Sequence, residues 1–254
     1  MPHRKAMKPL PSLSRRGFLA AAGSLLVAPA AIAGAAARPV IVELFTSQGC
    51  SSCAKADALF AELCADRNLL ALSFHIDYWD YLGWKDTLAS PEHSQRQYDY
   101  ARARGDMNVY TPQMVIDGRI AVVGSDRAEV DKAIATAAAA PTYVPLALTE
   151  TTDELTIEAG AAAGEMGDGM FWLLPIVPRV LTKIMKGENS GMEIEYRNIV
   201  RAIIPAGMWR GEAKSVSLPK SAVLQPDCKG CIALLQQDKV GQVLGAAAWG
   251  ETSA

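Results

Sequence analysis

The stretch from Val40 to Leu63 restricts the fold more than any other part of the chain. Val40-Ile41-Val42-Glu43-Leu44-Phe45 is apolar at five of six positions, which predicts a buried strand. Ser47-Gln48-Gly49 interrupts it, Cys50 and Cys53 follow, and Ala54 to Leu63 reads as a helix. A dithiol therefore sits where a strand ends and a helix begins. That location has a chemical consequence. The first turn of a helix carries unpaired N–H groups and the positive end of the dipole, and both favour a thiolate. A cysteine there can have its pKa lowered from about 8.5 into the range of about 3.5–7.5.

Ser14-Arg15-Arg16-Gly17-Phe18-Leu19 is a twin-arginine pattern ahead of an alanine-rich apolar stretch. Ala31-Ile32-Ala33 and Ala35-Ala36-Ala37 offer cleavage sites. Residues 1–37 are accordingly read as an export signal, with a periplasmic or secreted destination. Its removal leaves 217 of the 254 residues and takes away five cations and no acid, moving the formal net charge from −2 to −7. A mildly acidic mature chain argues against nucleic acid or an anionic membrane as partner. No later run is long and apolar enough to span a bilayer, so no stable membrane span is expected after cleavage. An exported chain resides where disulfides persist. No feature of the sequence sets an oligomeric state.

Five cysteines are present, and four form two Cys-x-x-Cys pairs, Cys50/Cys53 and Cys228/Cys231. Cys64 is left over. It falls on nearly the same helix face as Cys53 and reads as a small core residue.

Further along, Asn68 to Ile76 is a second buried-strand candidate, which with the first strand and helix suggests a βαβ unit. Asp77 to Asp86 is polar and aromatic and reads as a loop. Ser90-Pro91 marks a helix start, and Gly105 a stop. Asp117-Gly118 between two apolar runs predicts a hairpin. Ser125 or Asp126 then caps a final helix that runs from Arg127 to about Ala139.

This order, with Cys-x-x-Cys at the first helix and Thr111-Pro112 before the hairpin, resembles the thioredoxin fold over residues 38–140. The resemblance implies a cis proline at Pro112 facing the dithiol. It implies that Thr111 offers its backbone to an extended substrate. It also implies a buried acid below the dithiol that assists proton transfer, for which Glu43 is the candidate; an exposed strand-edge charge is the alternative reading. Ser51-Ser52 stands where thioredoxin has Gly-Pro, and that dipeptide helps to set redox poise. A closer resemblance is carried by Glu43 to Cys53, His75-Ile76-Asp77-Tyr78-Trp79-Asp80, Gly83-Trp84-Lys85-Asp86 and Tyr110-Thr111-Pro112-Gln113. These segments are similar to an uncharacterised, thioredoxin-like, secreted bacterial family, the domain of unknown function 1223. That family implies no established activity.

Pro141 to Pro145 reads as a linker. Beyond it, short alternating runs separated by turn signals suggest a β-sandwich over residues 141–254. Met170 to Ile184, broken by Pro175 and Pro178, reads as an edge or bulged strand. The expected architecture is thus an α/β thioredoxin-like domain followed by a smaller all-β sandwich-like domain.

The expected function is that of an exported thiol–disulfide oxidoreductase or redox partner acting on protein thiols or disulfides. Cys50 would attack and Cys53 would resolve the mixed disulfide. Cys228/Cys231 reads as a second redox pair or a structural disulfide. His75, Asp77 and Trp79 mark a candidate pocket at a strand's C-terminal end. His93 reads as an exposed helix residue. No Gly-rich phosphate loop or Ser-His-Asp constellation is present, so no cofactor is expected. A redox-inactive binding scaffold is one alternative. Thiolate handling of copper or zinc is another, although the 174 residues between Cys53 and Cys228 are unlike a zinc ribbon, and no metal ligand is assigned.

Overall fold

The structure, a computed structural model, describes residues 38–140, 143–164 and 166–252. The export signal expected over residues 1–37 lies outside them.

The first part of the chain forms β1 (Val40–Thr46), α1 (Cys53–Leu63), β2 (Leu69–His75), α2 (Pro91–Arg104), the hairpin β3 (Gln113–Ile116) and β4 (Ile120–Val123), and α3 (Arg127–Ala138). Local chemistry explains the boundaries. Ser90 accepts a hydrogen bond from Glu92 N with Pro91 at the first helical position, and Gly105 ends α2 in the left-handed region at φ 75°. Asp126 caps α3 by accepting from Ala128 N and Glu129 N. Asp117 and Gly118 both take positive φ, the requirement of the tight turn that joins β3 to β4.

The second part forms β5 (Leu146–Glu150), β6 (Glu154–Ala159), β7 (Gly169–Lys183), β8 (Glu193–Val200), β9 (Ile204–Trp209), β10 (Lys214–Pro219), the short helix α4 (Lys220–Val223), β11 (Gly230–Gln237) and β12 (Val243–Gly250).

These strands do not make a separate sandwich, and the expected two-part α/β plus all-β architecture is corrected here. Five of them join β1–β4 in a nine-stranded mixed sheet of order β12-β11-β7-β8-β2-β1-β3-β4, with β9 also on β7. The junction is the parallel pairing of Ser73 in β2 with Ile199 in β8. Asn198 Nδ2 donates to Ala71 O at 3.0 Å, and Ser73 Oγ donates to Arg197 O at 2.9 Å, closing the seam. Only β10, β6 and β5 form a second, three-stranded sheet. The described residues form one compact unit.

The alternation of side chains sorts the layers. Ile41, Phe45, Leu72, Phe74 and Ile76 point to one face with Tyr100 of α2. Trp172, Leu174, Ile176, Ile232 and Leu234 continue that same core. Val42, Leu44, Leu69 and Ala71 point the other way, into α1 and α3. Phe171, Leu173, Cys231, Ala233 and Leu235 face the small sheet. Each fully buried Phe or Leu contributes about 1.5–3 kcal/mol, so the core shared across β1, β2, β7 and β11 binds the two parts of the chain into one structure.

β7 is a central strand, not an edge, lying between β11 on one side and β8 and β9 on the other. Pro175 fits because of where the ladder changes partner. β9 pairs as far as Leu173 and β8 begins at Ile176, so Pro175 falls in the gap. Its carbonyl accepts from Arg201 N at 2.9 Å where the chain passes from β8 to β9.

Candidate functional site

Cys53 is the first residue of α1, and Cys50 lies in the turn before it. The two are joined in a disulfide with a Cα–Cα distance of 5.4 Å. Cys50 is 4 % exposed and Cys53 1 %. Ser52 Oγ lies 3.3 Å from Cys50 Sγ and 3.5 Å from the carbonyl of Thr111, which it faces as donor. Thr111-Pro112 is a cis peptide. Trp79 Nε1 donates to Thr111 Oγ1 at 2.7 Å. Trp79 also packs on Gly49, where an added Cβ would sit 3.3 Å from Trp79 Cβ. The disulfide, the Thr111-Pro112 turn and Trp79 therefore share one surface.

The loop before Cys50 is fixed through Gln48, which is fully buried. Its backbone N–H donates to Asp86 Oδ2 at 2.8 Å. Its side-chain oxygen accepts from Trp84 Nε1 and Thr87 N, at 2.9 and 3.3 Å. Its carbonyl and that of Cys50 both accept from Asn189 Nδ2, at 2.9 and 3.0 Å.

Below the disulfide lies a buried polar cluster. Asp57 is one turn along α1 from Cys53 and is 6 % exposed. Thr46 Oγ1 donates to its Oδ1 at 2.8 Å. Burial pushes the Asp57 carboxyl up to about 7, against the pull of His75 and Thr46. His75 ends β2, and its Nδ1 donates to Asp86 Oδ2 at 2.9 Å. Its ring meets the Tyr196 ring edge-on, with centroids 4.6 Å apart. Burial works to raise the Asp86 carboxyl, but His75 and the N–H groups of Gln48 and Leu88 together hold it below the usual carboxylate range. Asp57 Oδ2, His75 Nε2 and Tyr196 OH are buried without a hydrogen-bond partner among the described residues.

The other sequence-derived residues lie elsewhere. Glu43 points to the α2 face, away from α1. Arg96 holds it through Nε to Oε2 at 2.6 Å and Nη2 to Oε1 at 2.9 Å, and Tyr100 OH donates at 2.6 Å. Both of its oxygens are occupied by a structural network on the side of the sheet opposite the disulfide. Asp77 ties the end of β2 to α2, its Oδ1 accepting from Ser94 Oγ at 2.5 Å. His93 is buried, not exposed. Its Nδ1 donates to the His75 carbonyl at 2.9 Å, and burial lowers its pKa to about 4.

Cys228 and Cys231 are free thiols. Lys229 N donates to Ile176 O, and Gly230 and Cys231 pair with Ile176 and Pro175 in the β11–β7 ladder. Cys228 lies in the turn before β11, its N–H donating to Gln225 O at 3.0 Å, and Cys231 lies within the strand. Burial raises both thiols, Cys231 to about 12. Cys64 is half-buried, and burial raises its thiol likewise to about 12. Among the described residues, no three His, Cys, Asp or Glu side chains are gathered as a metal site.

A family model described as "Protein of unknown function (DUF1223)" matches residues 41–236. The chain belongs to that family. The matched region includes the disulfide, the cis-proline turn, the Asp57–His75 cluster and the β7–β8 connection that carries Asn189. The X-ray crystal structure of protein AGR_C_4864 from Agrobacterium tumefaciens is 34 % identical, with a TM-score of 0.75 over 87 % of this chain and 99 % of that one. HBP35 of Porphyromonas gingivalis is 14 % identical, with a TM-score of 0.54 over 87 % of this chain and 79 % of that one, a likeness of fold alone. No curated protein matches the chain.

Asp57 carried a signal in the sequence. It shares a helical stripe with Cys53, Ala56 and Phe60, and an acid on an apolar stripe is a buried acid. Asp86, Tyr196 and Asn189 had no such local mark, because each reaches the site through tertiary packing.

Proposed function

We propose that this protein is an exported thiol–disulfide oxidoreductase or redox partner, using Cys50 and Cys53 on protein thiols or disulfides. The observation that carries the reading is the Cys50–Cys53 disulfide at the start of α1 with Asp57 buried one turn below it. The reading rests on three supports. The helix start stabilises a thiolate at Cys50. Ser52, Trp79 and Thr111 form a surface beside the sulfur that an extended polypeptide can approach. Asp57 titrates close to neutral pH on the same helix face as Cys53. The strand, the dithiol at the helix start and the cis-proline turn lie together, which supports the reading. The twin-arginine pattern supports export, and the acidic mature chain argues against nucleic acid as partner.

In the reducing direction the Cys50 thiolate attacks a substrate disulfide. One substrate sulfur leaves as a thiolate, and a Cys50–substrate disulfide forms. Cys53 then loses its proton to Asp57 and attacks Cys50 Sγ. The second substrate sulfur departs, and the Cys50–Cys53 bond is restored. Two electrons pass to the substrate. The oxidising direction is the reverse sequence, with Asp57 returning a proton to Cys53 as its bond to Cys50 breaks. Asp57 replaces Glu43 in this role, since Glu43 is committed to Arg96 on the opposite face.

Thiol trapping across defined glutathione buffers tests the proposal. A reversible two-electron couple is expected in the parent protein and is lost in Cys50→Ser. Cysteines that stay in one oxidation state through all buffers would rule the reading out.

A further inference from the structure

The connection between β7 and β8 is a compact turn, and one of its side chains does something the rest do not. The turn is closed by its own bonds. Gly191 N donates to Ile184 O at 2.8 Å, Met192 N to Asn189 O at 3.1 Å, and Ser190 Oγ to Met185 O at 3.1 Å. Gly187 and Gly191 take positive φ, at 77° and 87°. Gly187 also lies against the loop that holds Gln48: a Cβ there would stand 3.2 Å from Trp84 Cβ. Gly187, Glu188, Ser190 and Gly191 are exposed. Asn189 alone among them is inserted, at 4 % exposure, into the dithiol loop.

Its amide meets two carbonyls, Gln48 O at 2.9 Å and Cys50 O at 3.0 Å. Carbonyls only accept, so the NH₂ group must face them, and both of its hydrogens are used. Cys50 O also accepts from Cys53 N at 3.1 Å, in the turn that opens α1. Asn189 thus places a partial positive charge on the backbone of the attacking cysteine and offsets the dipoles of the two carbonyls it meets. Fixed donors of this kind favour the charged form of a neighbouring acid, here the Cys50 thiolate. The reduced form of the couple contains that thiolate, so whatever stabilises it makes the disulfide the stronger oxidant.

We infer that Asn189, from the far side of the β2–β8 seam, is a positioning residue of the Cys50/Cys53 dithiol that lowers the Cys50 pKa and makes the couple more oxidising. The inference rests on the redox reading and deepens it: the second part of the chain supplies a functional group to the dithiol site.

The test compares the full chain with Asn189→Ala, Asn189→Ser and Asn189→Asp. The readouts are the equilibrium constant against glutathione and the Cys50 pKa from the pH dependence of alkylation. Asn189→Ala is expected to shift the constant about tenfold toward the disulfide, about 30 mV more reducing, and to raise the Cys50 pKa. Asn189→Asp sets a carboxylate against two carbonyls and is expected to shift both further, while Asn189→Ser retains one donor and falls between the parent and Asn189→Ala. A second measurement needs no variant: the Asn189 side-chain amide of the parent is expected to be protected from exchange and to shift in its NMR resonance on reduction. Folded Asn189→Ala and Asn189→Asp with parental potential and Cys50 pKa overturn the inference and leave the redox reading intact. So does an Asn189 amide that exchanges freely and is blind to reduction. A parent with no reversible couple overturns both.

Discussion

Arg96→Met is expected to destabilise the protein by about 3–5 kcal/mol, the cost of leaving a buried carboxylate without its partner. Glu43 is fully buried and Arg96 3 % exposed. The pair has two contacts between its ends, and Arg96 also lies over the Phe74 and Tyr100 rings at 5.5 and 5.0 Å. Gln236 of β11 closes the network by donating to Tyr100 OH at 2.8 Å and accepting from Arg96 at 3.2 Å. One cluster thus links β1, α2 and β11. Urea denaturation measures the loss. The double variant Glu43→Leu/Arg96→Met removes both charges, and it is expected to recover most of the stability that Arg96→Met loses. A single variant within about 1 kcal/mol of the parent would show that the ion pair holds nothing together.

Asp57→Asn is expected to change the pH dependence of stability in the oxidised protein. The ordinary carboxyl pKa of 3.8 rises to about 7 in the fold, so between those values the native state binds more protons than the unfolded chain. Stability attributable to Asp57 is therefore intact below pH 4 and falls as pH rises toward 7, by about 4 kcal/mol in all. The groups facing it are Thr46, His75, Asp86 and Tyr196. His93 acts in the opposite sense. Its pKa falls from 6.5 to about 4 on folding, so its contribution is lost as pH drops through that window. Comparing Asp57→Asn with the parent isolates the first effect. The variant is expected to equal or exceed the parent at pH 8 and to lack the decline between pH 4 and 7. Superimposable pH profiles would show that the Asp57 carboxyl titrates as if exposed. In the redox assay, the same variant is expected to slow resolution of the mixed disulfide by Cys53 while leaving Cys50 alkylation unchanged.

Part of the site was legible because its determinants are close in sequence. The run Val40–Phe45, the break at Ser47-Gln48-Gly49 and the periodic helix after Cys53 place a dithiol at a strand–helix junction by local rules alone. Ser90-Pro91, Gly105, Asp117-Gly118 and Asp126 mark boundaries in the same way. Each is a matter of backbone conformation or of one capping bond within a few residues.

The acid was a different problem. Glu43 and Asp57 both sit near the cysteines in sequence, and a strand's alternation decides which of them faces α1. Val42 and Leu44 point to α1, so Glu43 cannot, and Arg96 neutralises it on the other side. Choosing between the two faces requires knowing which helix covers which face, and that is a property of the assembled sheet.

By sequence the second part of the chain reads as a sandwich because its strands are short, alternating and separated by turns, and Pro175 and Pro178 mark Met170 to Ile184 as an edge or bulged strand. Those features describe strands, not their neighbours. Met170 to Val177 is in fact covered on both faces, as a central strand must be, and Pro175 is tolerated only because β7 changes partners beside it. The pairing of Ser73 with Ile199 joins segments far apart in sequence through one parallel register pair and the side-chain hydrogen bonds of Ser73 and Asn198, and no local pattern encodes it. The sequence by itself determined the dithiol, its helix and its proline turn, since these follow from short-range backbone preferences. Only the tertiary structure decided that Asp57 and not Glu43 lies on the dithiol face, that one sheet unites the chain, and that Asn189 reaches Cys50. These follow from burial and from long-range strand pairing, which the packed chain settles as a whole.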